Sequence, residues 1–365
     1  MIDDEISLND SESFESYEHV HCDAHHPIIA AIDLGTNSCR LLIASVNVAS
    51  LKKTFFRTRP NPIGWKIIDS FAKIVRLGEG LHKDEMLSED AIERAMEALT
   101  ICKKKLDTRH VSRLRAVATE ACRRAKNGRV LIERAKNELN LTIDIVTAKE
   151  EGRLALTGCA GVLNSRIPYA VVFDIGGGST EIIWLKIERD GRQKPGYPIL
   201  FQVIDSISIP YGVVTLSELY EQFATTLQIH QNIRRQVHSE IAKFVEKHNI
   251  LTLIMSGDVQ MVGSSGTVTT IAAFKLGLPR YERKKIDGVF LNLKDIHEIS
   301  QSLVNESQEP NPQHSYVING RSDLVVIGSA ILEGICDAIP LQQLRVADRG
   351  VREGILSELL MTIGH

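Results

Sequence analysis

One strand-turn-strand pattern occurs twice in this 365-residue chain, and it restricts the folds that the chain can adopt. Val171 to Trp184 reads VVFDIGGGSTEIIW, an apolar strand that ends in a carboxylate, a glycine-rich turn and a second apolar strand. The segment from Ile28 has the same plan, and its Asp33 matches Asp174 at an offset of 141 residues. This offset is too long for a solenoid repeat, so the pattern predicts two related domains.

Both turns have the composition of phosphate-binding loops, although an ordinary hairpin turn is the alternative. Glycine lets the backbone approach a ligand closely, and successive free N–H groups form a nest that binds anions. A third turn of small residues opens a helix, whose N-terminus also favours an anion. The candidate phosphate-binding residues are Gly35, Thr36, Asn37 and Ser38 in the first turn, Gly176, Gly177, Gly178, Ser179 and Thr180 in the second, and Ser265, Gly266 and Thr267 in the third.

The chain between the two hairpins alternates between helical and strand patterns. A loop that contains Pro60, Pro62, Gly64, Gly78 and Gly80 is followed by a helix from Ser88, its N-cap, to Leu106. The predicted elements that follow are a strand over Arg113 to Ala118, a helix over Ala121 to Leu139, a strand over Leu141 to Val146 and a helix from near Lys149 to about Leu163. Alternating strands and helices predict an α/β fold.

Composition excludes several classes of protein. Hydrophobic residues at 43% and charged residues at 24% are near the averages of soluble globular proteins. Six cysteines without a CxxC pair indicate reduced thiols rather than a disulfide framework. We find no apolar run long enough for a membrane span and no signal peptide, so we expect a cytoplasmic protein without a membrane partner. The acidic residues 1–26 are predicted to be a disordered tail.

Lysine and arginine are dense between residues 102 and 136. Such a region can steer a polyanion, although a solvated helix face is the alternative. Nucleic acid is disfavoured as a partner, because the region lacks interleaved aromatic residues for base stacking.

Seven motifs in this order resemble the exopolyphosphatase and guanosine pentaphosphate phosphohydrolase family: IDLGTNSCRLLI, ATEACRRAKN, KEEGRLA, FDIGGGSTE, PYGVVTLSE, GSSGTVTTIAA and VADRGVREGIL. The resemblance implies the duplicated fold of the actin-like, sugar kinase and chaperone ATPase superfamily, with a cleft between the domains. We expect domain I at 27–147, domain II at 148–345, and a C-terminal turn and helix at 346–365 that pack back on domain I. The resemblance implies the short, two-domain form of the family and a homodimer.

Glu120, Glu150 and Glu151 are candidates for a general base. Adjacent carboxylates at a helix start often serve only to stabilise the helix dipole, and residue chemistry alone does not choose between Glu150 and Glu151. The family's Glu-Gly/Ala-Arg pattern falls on Glu151, Gly152 and Arg153, so the resemblance implies that Glu151 is the base.

Two acidic residues, Asp174 and Glu181, bracket the triple glycine and match acidic positions of the family's active site. Because Mg²⁺ usually takes one or two carboxylates together with phosphates and waters, we assign Asp174 to Mg²⁺ and Glu181 to the metal or the attacking water. Asp33 is a weaker metal candidate. The resemblance implies that Arg123 is the active-site arginine, while Arg40 is either a phosphate clamp or a surface charge.

We therefore predict an Mg²⁺-dependent hydrolase that releases terminal orthophosphate from inorganic polyphosphate, with guanosine pentaphosphate as the alternative substrate. Two hypotheses from other classes follow from the duplicated loops. One is an ATP-dependent actin-like or sugar kinase-like protein, and the other is a non-catalytic sensor of polyphosphate or an alarmone.

Overall fold

A computed structural model of the chain describes residues 27–46, 65–188, 199–220, 227–308 and 322–363, so the predicted tail at 1–26 lies outside the described residues. The described part contains two mixed β-sheets with helices on their faces. None of its helices is both long enough and apolar enough to cross a lipid bilayer.

The first sheet has the strand order β3-β2-β1-β4-β5. Strand β1 pairs antiparallel with β2 and parallel with β4, while β3 continues antiparallel from β2 and β5 parallel from β4. The strands are β1 (Ile28–Leu34), β2 (Ser38–Val46), β3 (Trp65–Ile74), β4 (Arg113–Ala118) and β5 (Ile143–Ile145), and the accompanying helices are α1 (Leu81–Asp84), α2 (Glu89–Thr108), α3 (Glu120–Arg124) and α4 (Gly128–Leu139).

The second sheet has the order β10-β11-β9-β6-β7-β8. Its strands are β6 (Tyr169–Ile175), β7 (Thr180–Ile187), β8 (Phe201–Ile209), β9 (Val259–Ser264), β10 (Phe290–Asn292) and β11 (Gln343–Ala347). The helices are α5 (Ala148–Cys159), α6 (Val213–Leu219), α7 (Leu227–Lys247), α8 (Ile250–Met255), α9 (Gly266–Lys275), α10 (Arg283–Ile286), α11 (Leu293–Gln308), α12 (Ser322–Ala338) and α13 (Val351–Met361). Strands β8-β7-β6-β9-β11 repeat the order and directions of β3-β2-β1-β4-β5, so the duplication extends from the hairpins to whole sheets.

The helix predicted from Ser88 is confirmed, since the Ser88 hydroxyl accepts the N–H of Ala91 at 3.2 Å as an N-cap. The single helix predicted over Ala121 to Leu139 is wrong. The backbone is extended at Ala125, between α3 and α4. Gly128 then packs against α3, where a Cβ would lie 2.1 Å from the carbonyl oxygen of Cys122. This close approach turns one periodic segment into two helices.

The loop predicted before Ser88 is wrong for Trp65 to Ile74, which form β3 along the edge of the first sheet. Most of β3 is only half-buried, so it lacks the clean alternation of apolar and polar residues that identifies a strand. Pro60, Pro62 and Gly64 lie outside the described residues.

Helix α5 packs between the two sheets. Its Leu154 and Ala155 join the core on one face of the first sheet, together with Ile355 and Leu356 of α13. Its Leu156 and Cys159 join a separate core on one face of the second sheet. The opposite face of the first sheet is covered by α2 and α4, and that of the second by α7, α9, α11 and α12. The domain boundaries given above stay a prediction.

Helices α5 and α13 cross at very short distance because glycines lie at the contact. A Cβ on Gly158 would lie 2.1 Å from the carbonyl oxygen of Gly350, and one on Gly354 would lie 2.0 Å from that of Leu154. Any larger side chain at Gly158 or Gly354 would push the two helices apart. The glycines thus fix α5, and the residues at its start, against the first sheet.

Candidate active site

Two cross-strand pairs of charged residues lie at the ends of the central hairpins. Asp33 of β1 is opposite Arg40 of β2, and Asp174 of β6 is opposite Glu181 of β7. Because side chains alternate along a strand, the first pair lies on the sheet face that α5 and α13 cover. The second pair lies on the face that α5 covers. Both pairs therefore converge on α5.

The three carboxylates of these pairs are largely shielded from solvent, since Glu181 is buried and Asp33 and Asp174 are partly buried. Burial raises the pKa of Asp174 to about 7, the charge of Glu181 adds to this effect, and Arg40 opposes it. Burial also raises the pKa of Glu181, against hydrogen bonds from two serines. For Asp33 burial again raises the pKa, and Arg40 opposes it. Several carboxyl groups with raised pKa in one cleft are typical of a functional site.

Glu181 is oriented by two serine hydroxyls. The hydroxyl of Ser179 donates to Oε1 at 2.5 Å and that of Ser208 donates to the same oxygen at 2.9 Å. Oε2 accepts no hydrogen bond within the described ranges and is available to a ligand. Sequence analysis missed Ser208, because only the register of the β7–β8 ladder places it opposite Glu181.

The Asp174 and Glu181 pair suits a hard cation. Among the described residues there is no group of three or more His, Cys, Asp or Glu side chains placed to hold a metal ion. Two carboxylates nevertheless match the usual protein contribution to Mg²⁺, which completes its coordination with waters and substrate phosphates. A cation would also offset the burial and the repulsion from Glu181 that together raise the pKa of Asp174. Asp33 is less suited, because its cross-strand partner is Arg40 and not a second carboxylate.

The candidate base Glu151 lies beside an arginine. Glu151 accepts a hydrogen bond from Arg123 Nη1 at 3.0 Å, and Arg123 also donates to the carbonyl oxygen of Val146 at 2.8 Å. Burial, followed by the charge of Glu181, raises the pKa of Glu151 to about 8, although Arg123 opposes both effects. Glu151 is therefore a largely buried carboxylate, with its side chain 14% exposed, within the electrostatic reach of Glu181.

Glu150 belongs instead to an ion-pair network on the protein surface. Its carboxylate contacts Arg153 at 2.7 Å and Arg115 at 2.8 Å, and both arginines also contact Glu358 of α13. Hydrogen bonds from Arg153 and Arg115 lower the pKa of Glu150 to about 2. Arg115, one of the basic residues considered for steering a polyanion, is thus neutralised by these carboxylates.

The first predicted phosphate turn is held by its own backbone. The N–H of Gly35 donates to the carbonyl oxygen of Ser38 at 3.0 Å, and the carbonyl oxygen of Asn37 accepts the N–H of Val75 at 2.9 Å. The Ser38 hydroxyl accepts the Nε–H of Arg40 at 3.0 Å. Arg40 makes no salt bridge in the described part of the chain, so its guanidinium can bind an anion.

The carbonyl groups of the second turn bind the start of α6. The carbonyl oxygens of Gly176 and Gly177 accept the N–H groups of Val213 and Val214, at 3.0 and 2.8 Å, at the start of α6. The N–H groups of Gly177 and Gly178 donate to no acceptor among the residues that the structure describes, as an anion nest requires. Thr180 is different, because its hydroxyl donates to the carbonyl oxygen of Tyr211 at 2.6 Å.

The two turns touch each other. A Cβ on Gly177 would lie 2.9 Å from Cβ of Thr36, so only glycine allows this approach. A second contact joins the two halves of the chain, where the N–H of Gly80 donates to Oε1 of Glu218 at 2.9 Å. The two predicted phosphate turns therefore lie in direct contact with each other.

The third turn follows β9, in which Ser264 pairs with Asp174. Ser265 accepts the N–H of Val268 at 3.1 Å as the N-cap of α9, and Gly266 has open space around it. Thr267 is buried and turned towards α12, where a Cβ on Gly328 would lie 2.1 Å from its Oγ1. The start of this turn lies near Asp174, whereas the Thr267 side chain faces the core.

Arg352 is a further charged residue that sequence analysis did not single out. It lies in the first turn of α13, and its charge opposes the rise in pKa that burial gives Asp33. Arg352 belongs to the VADRGVREGIL motif, but only the packing of α13 on β1 brings it near Asp33.

Duplicated sheets that meet at this cleft define the actin-like fold, and the predicted fold class is confirmed. The solved structure of an Aquifex aeolicus member of the Ppx/GppA family has a TM-score of 0.69 to this chain at 27% identity, covering 93% of this chain and 99% of that one. Residues 59–363 match the Ppx/GppA phosphatase family. The chain belongs to this family, as the motifs predicted.

Two curated relatives are similar over most of the chain. The exopolyphosphatase 2 of Mycobacterium tuberculosis is 28% identical over 341 residues, which cover 91% of this chain and 98% of the relative. The guanosine-5'-triphosphate,3'-diphosphate pyrophosphatase of Photobacterium profundum is 25% identical, and the match covers 93% of this chain and 60% of that longer protein. The prediction of an enzyme that hydrolyses phosphoanhydrides is confirmed.

Proposed function

We propose that the protein is an Mg²⁺-dependent exopolyphosphatase that releases terminal orthophosphate from inorganic polyphosphate by attack of water. The observation that carries this proposal is the convergence of Glu151 and the Asp174–Glu181 pair on α5, next to two turns rich in glycine and hydroxyl groups. The similarity to an exopolyphosphatase over nearly the whole length of both chains supports it.

Glu151 is the general base in this proposal. A base works best when its pKa lies near the operating pH, and burial brings the pKa of Glu151 to about 8. Arg123, 3.0 Å from the carboxylate, fixes its orientation and limits the rise in pKa. In this mechanism Glu151 removes a proton from the water that attacks the terminal phosphorus in line with the leaving oxygen.

The turns neutralise the charge of the transferred phosphoryl group. The free N–H groups of Gly177 and Gly178 donate to its oxygens, and Arg40 adds a charged donor from the first hairpin. Preorganised donors of this kind stabilise the charge that spreads over the equatorial oxygens in the transition state. Ser38 and Ser179 hold Arg40 and Glu181 in place through hydrogen bonds of 3.0 and 2.5 Å.

The cation site of the proposal consists of Asp174 and Glu181. Mg²⁺ bound there would supply Lewis-acid polarisation of the phosphoryl oxygens. Asp33 remains the weaker candidate ligand, because Arg40 lies opposite it.

Guanosine pentaphosphate is the second candidate substrate, because a relative is named for action on this class of nucleotide. Its terminal phosphoanhydride presents the same reacting group, so the proposed residues would act in the same way.

The five described cysteines are free and buried, which supports the proposed cytoplasmic location. The homodimer stays a prediction that sedimentation analysis would test.

A side-by-side phosphate-release assay tests the proposal. Purified protein is supplied with long polyphosphate, short polyphosphate or guanosine pentaphosphate, with Mg²⁺ or with EDTA, and Glu151→Gln is the matched inactive variant. We expect Mg²⁺-dependent release that is fastest from polyphosphate and absent in the variant. No release from any substrate, or saturable binding without turnover, would reject the proposal. Phosphate transfer from ATP to an acceptor would favour the kinase alternative.

A further inference from the structure

Glu120 occupies the place where the two turns meet. It is the first residue of α3, directly after β4, and its side chain is only 13% exposed. The hydroxyl of Thr36 in the first turn donates to its Oε2 at 3.3 Å. A Cβ on Gly178 in the second turn would lie 2.0 Å from the same oxygen, so the carboxylate rests directly against the Gly178 backbone.

These contacts are the ones that a phosphate oxygen would make in the cleft. Thr36 offers a hydroxyl donor, and Gly178 offers a backbone without a side chain, which permits close approach. A carboxylate oxygen carries negative charge and accepts hydrogen bonds as a phosphate oxygen does. The Glu120 carboxylate therefore stands where the two turns would otherwise hold an anion.

Within the described ranges, Glu120 forms one ion pair, with Arg124. Arg124 contacts Oε1 at 3.3 Å from one helical turn away, but its side chain is 38% exposed, so solvent screens the pair. On the other side the charge of Glu120 raises the pKa of Glu181. Glu120 thus adds negative charge to a cleft that already holds several carboxylates, and the proposed mechanism gives it no chemical step.

We propose that Glu120 is an internal anion that competes with the substrate phosphate for the position between Thr36 and Gly178. Glu120 sets the affinity of the cleft for phosphate-bearing ligands, because each ligand that enters must displace the carboxylate from Thr36. This inference rests on the proposed function for the identity of the substrate. It concerns anion affinity and not the bond that is broken.

The test is a substitution that keeps the shape of the side chain and removes its charge. Glu120→Gln should bind orthophosphate and tripolyphosphate about fivefold or more tightly, since one unit charge a few ångströms away costs about 1 kcal/mol even at the dielectric constant of water. Titration calorimetry measures both affinities, and the KM for polyphosphate should fall in parallel. Improved affinity is a result that a merely structural role of Glu120 would not produce.

Glu85→Gln is the matched control. Glu85 is exposed and forms a surface ion pair with Lys126, so this variant changes the net charge equally and should bind both anions as the wild type does. If Glu120→Gln does not fold, Glu120→Asp withdraws the carboxylate by one methylene group. Binding should then tighten by a smaller factor.

The outcomes separate this inference from the proposed function. A wild type that binds tripolyphosphate but releases no phosphate from polyphosphate rejects the proposed function, and the titration still tests Glu120. Unchanged or weaker anion binding in Glu120→Gln, with wild-type hydrolysis intact, overturns the inference alone. Absence of anion binding in both the wild type and Glu120→Gln overturns it as well.

Discussion

The two central hairpins share a backbone plan but differ in the charge of one residue. At the same register, Asp33 faces Arg40 in the first hairpin and Asp174 faces Glu181 in the second. The first pair combines a carboxyl group with a guanidinium, whereas the second combines two carboxyl groups, and burial raises the pKa of all three carboxyl groups. Duplication thus preserved the geometry while the chemistry diverged. The first hairpin presents a guanidinium at this position, and the second presents a second carboxylate.

This difference extends to the neighbouring helix. The charge of Glu181 is second only to burial in raising the pKa of Glu151, while the charge of Asp33 has the smallest effect. The proposed base therefore belongs electrostatically to the second hairpin, although α5 packs on both sheets.

The largest expected effect comes from removing the acidic partner of the second hairpin. Glu181→Gln should lower Mg²⁺-dependent phosphate release by about a thousandfold or more, because it removes a charge that the proposed cation site requires. A phosphate-release assay across a range of Mg²⁺ concentrations measures the loss. Glu138→Gln, which removes an exposed carboxylate on α4, is the control. More than a tenth of wild-type activity in Glu181→Gln would remove the proposed difference between the hairpins.

A second prediction concerns stability and pH. Because burial raises the pKa of Glu151 from 4.5 to about 8, the folded protein binds more protons than the unfolded chain between these values. Glu151 therefore lowers stability as the pH rises through this window. Glu151→Gln should be more stable than the wild type at pH 8, by about 2 to 4 kcal/mol, and similar to it near pH 4.5. Denaturant unfolding without metal at both pH values measures this.

Glu150→Gln is the control at the neighbouring position, and its expected effect on the free energy of unfolding has the opposite sign. Two arginines lower the pKa of Glu150 to about 2, so its ion pairs stabilise the protein at neutral pH and lose this effect as the pH falls towards 2. The variant should be about 1 kcal/mol less stable than the wild type at pH 7 and should retain turnover. If Glu150→Gln gains stability at high pH and Glu151→Gln does not, the assignment of Glu151 as the carboxyl group with the raised pKa is wrong.

A smaller effect is expected in the first hairpin. Arg40→Gln should raise the KM for polyphosphate about tenfold, because it removes a charged hydrogen bond to a phosphate oxygen. The kcat should change much less, since the proposed base and cation site remain. Steady-state kinetics separate the two parameters. A collapse of kcat as large as that of Glu181→Gln would show that both hairpins serve the chemical step.

Local sequence patterns predicted the parts of the fold that depend on neighbouring residues. The hairpins and the Ser88 cap were correct because periodicity and capping are local properties. The break at Ala125 was missed because it follows from the close packing of Gly128 on α3. Strand β3 was missed because its edge position weakens the apolar alternation.

The candidate site was predictable to a different extent. Residue chemistry left Glu150 and Glu151 equivalent, and only the resemblance favoured Glu151. The folded structure separates them, since one lies in a surface ion-pair network and the other beside Arg123. Ser208 was not predictable, because its contact with Glu181 depends on the register between two strands.

The most direct test of this account compares the same substitution at the two equivalent aspartates. Asp174→Asn and Asp33→Asn remove the same charge from matching positions, and phosphate release is measured for both as a function of Mg²⁺ concentration. We predict that Asp174→Asn abolishes Mg²⁺-dependent release, whereas Asp33→Asn keeps activity within about tenfold of the wild type. Equal losses in the two variants, or a larger loss in Asp33→Asn, would contradict it.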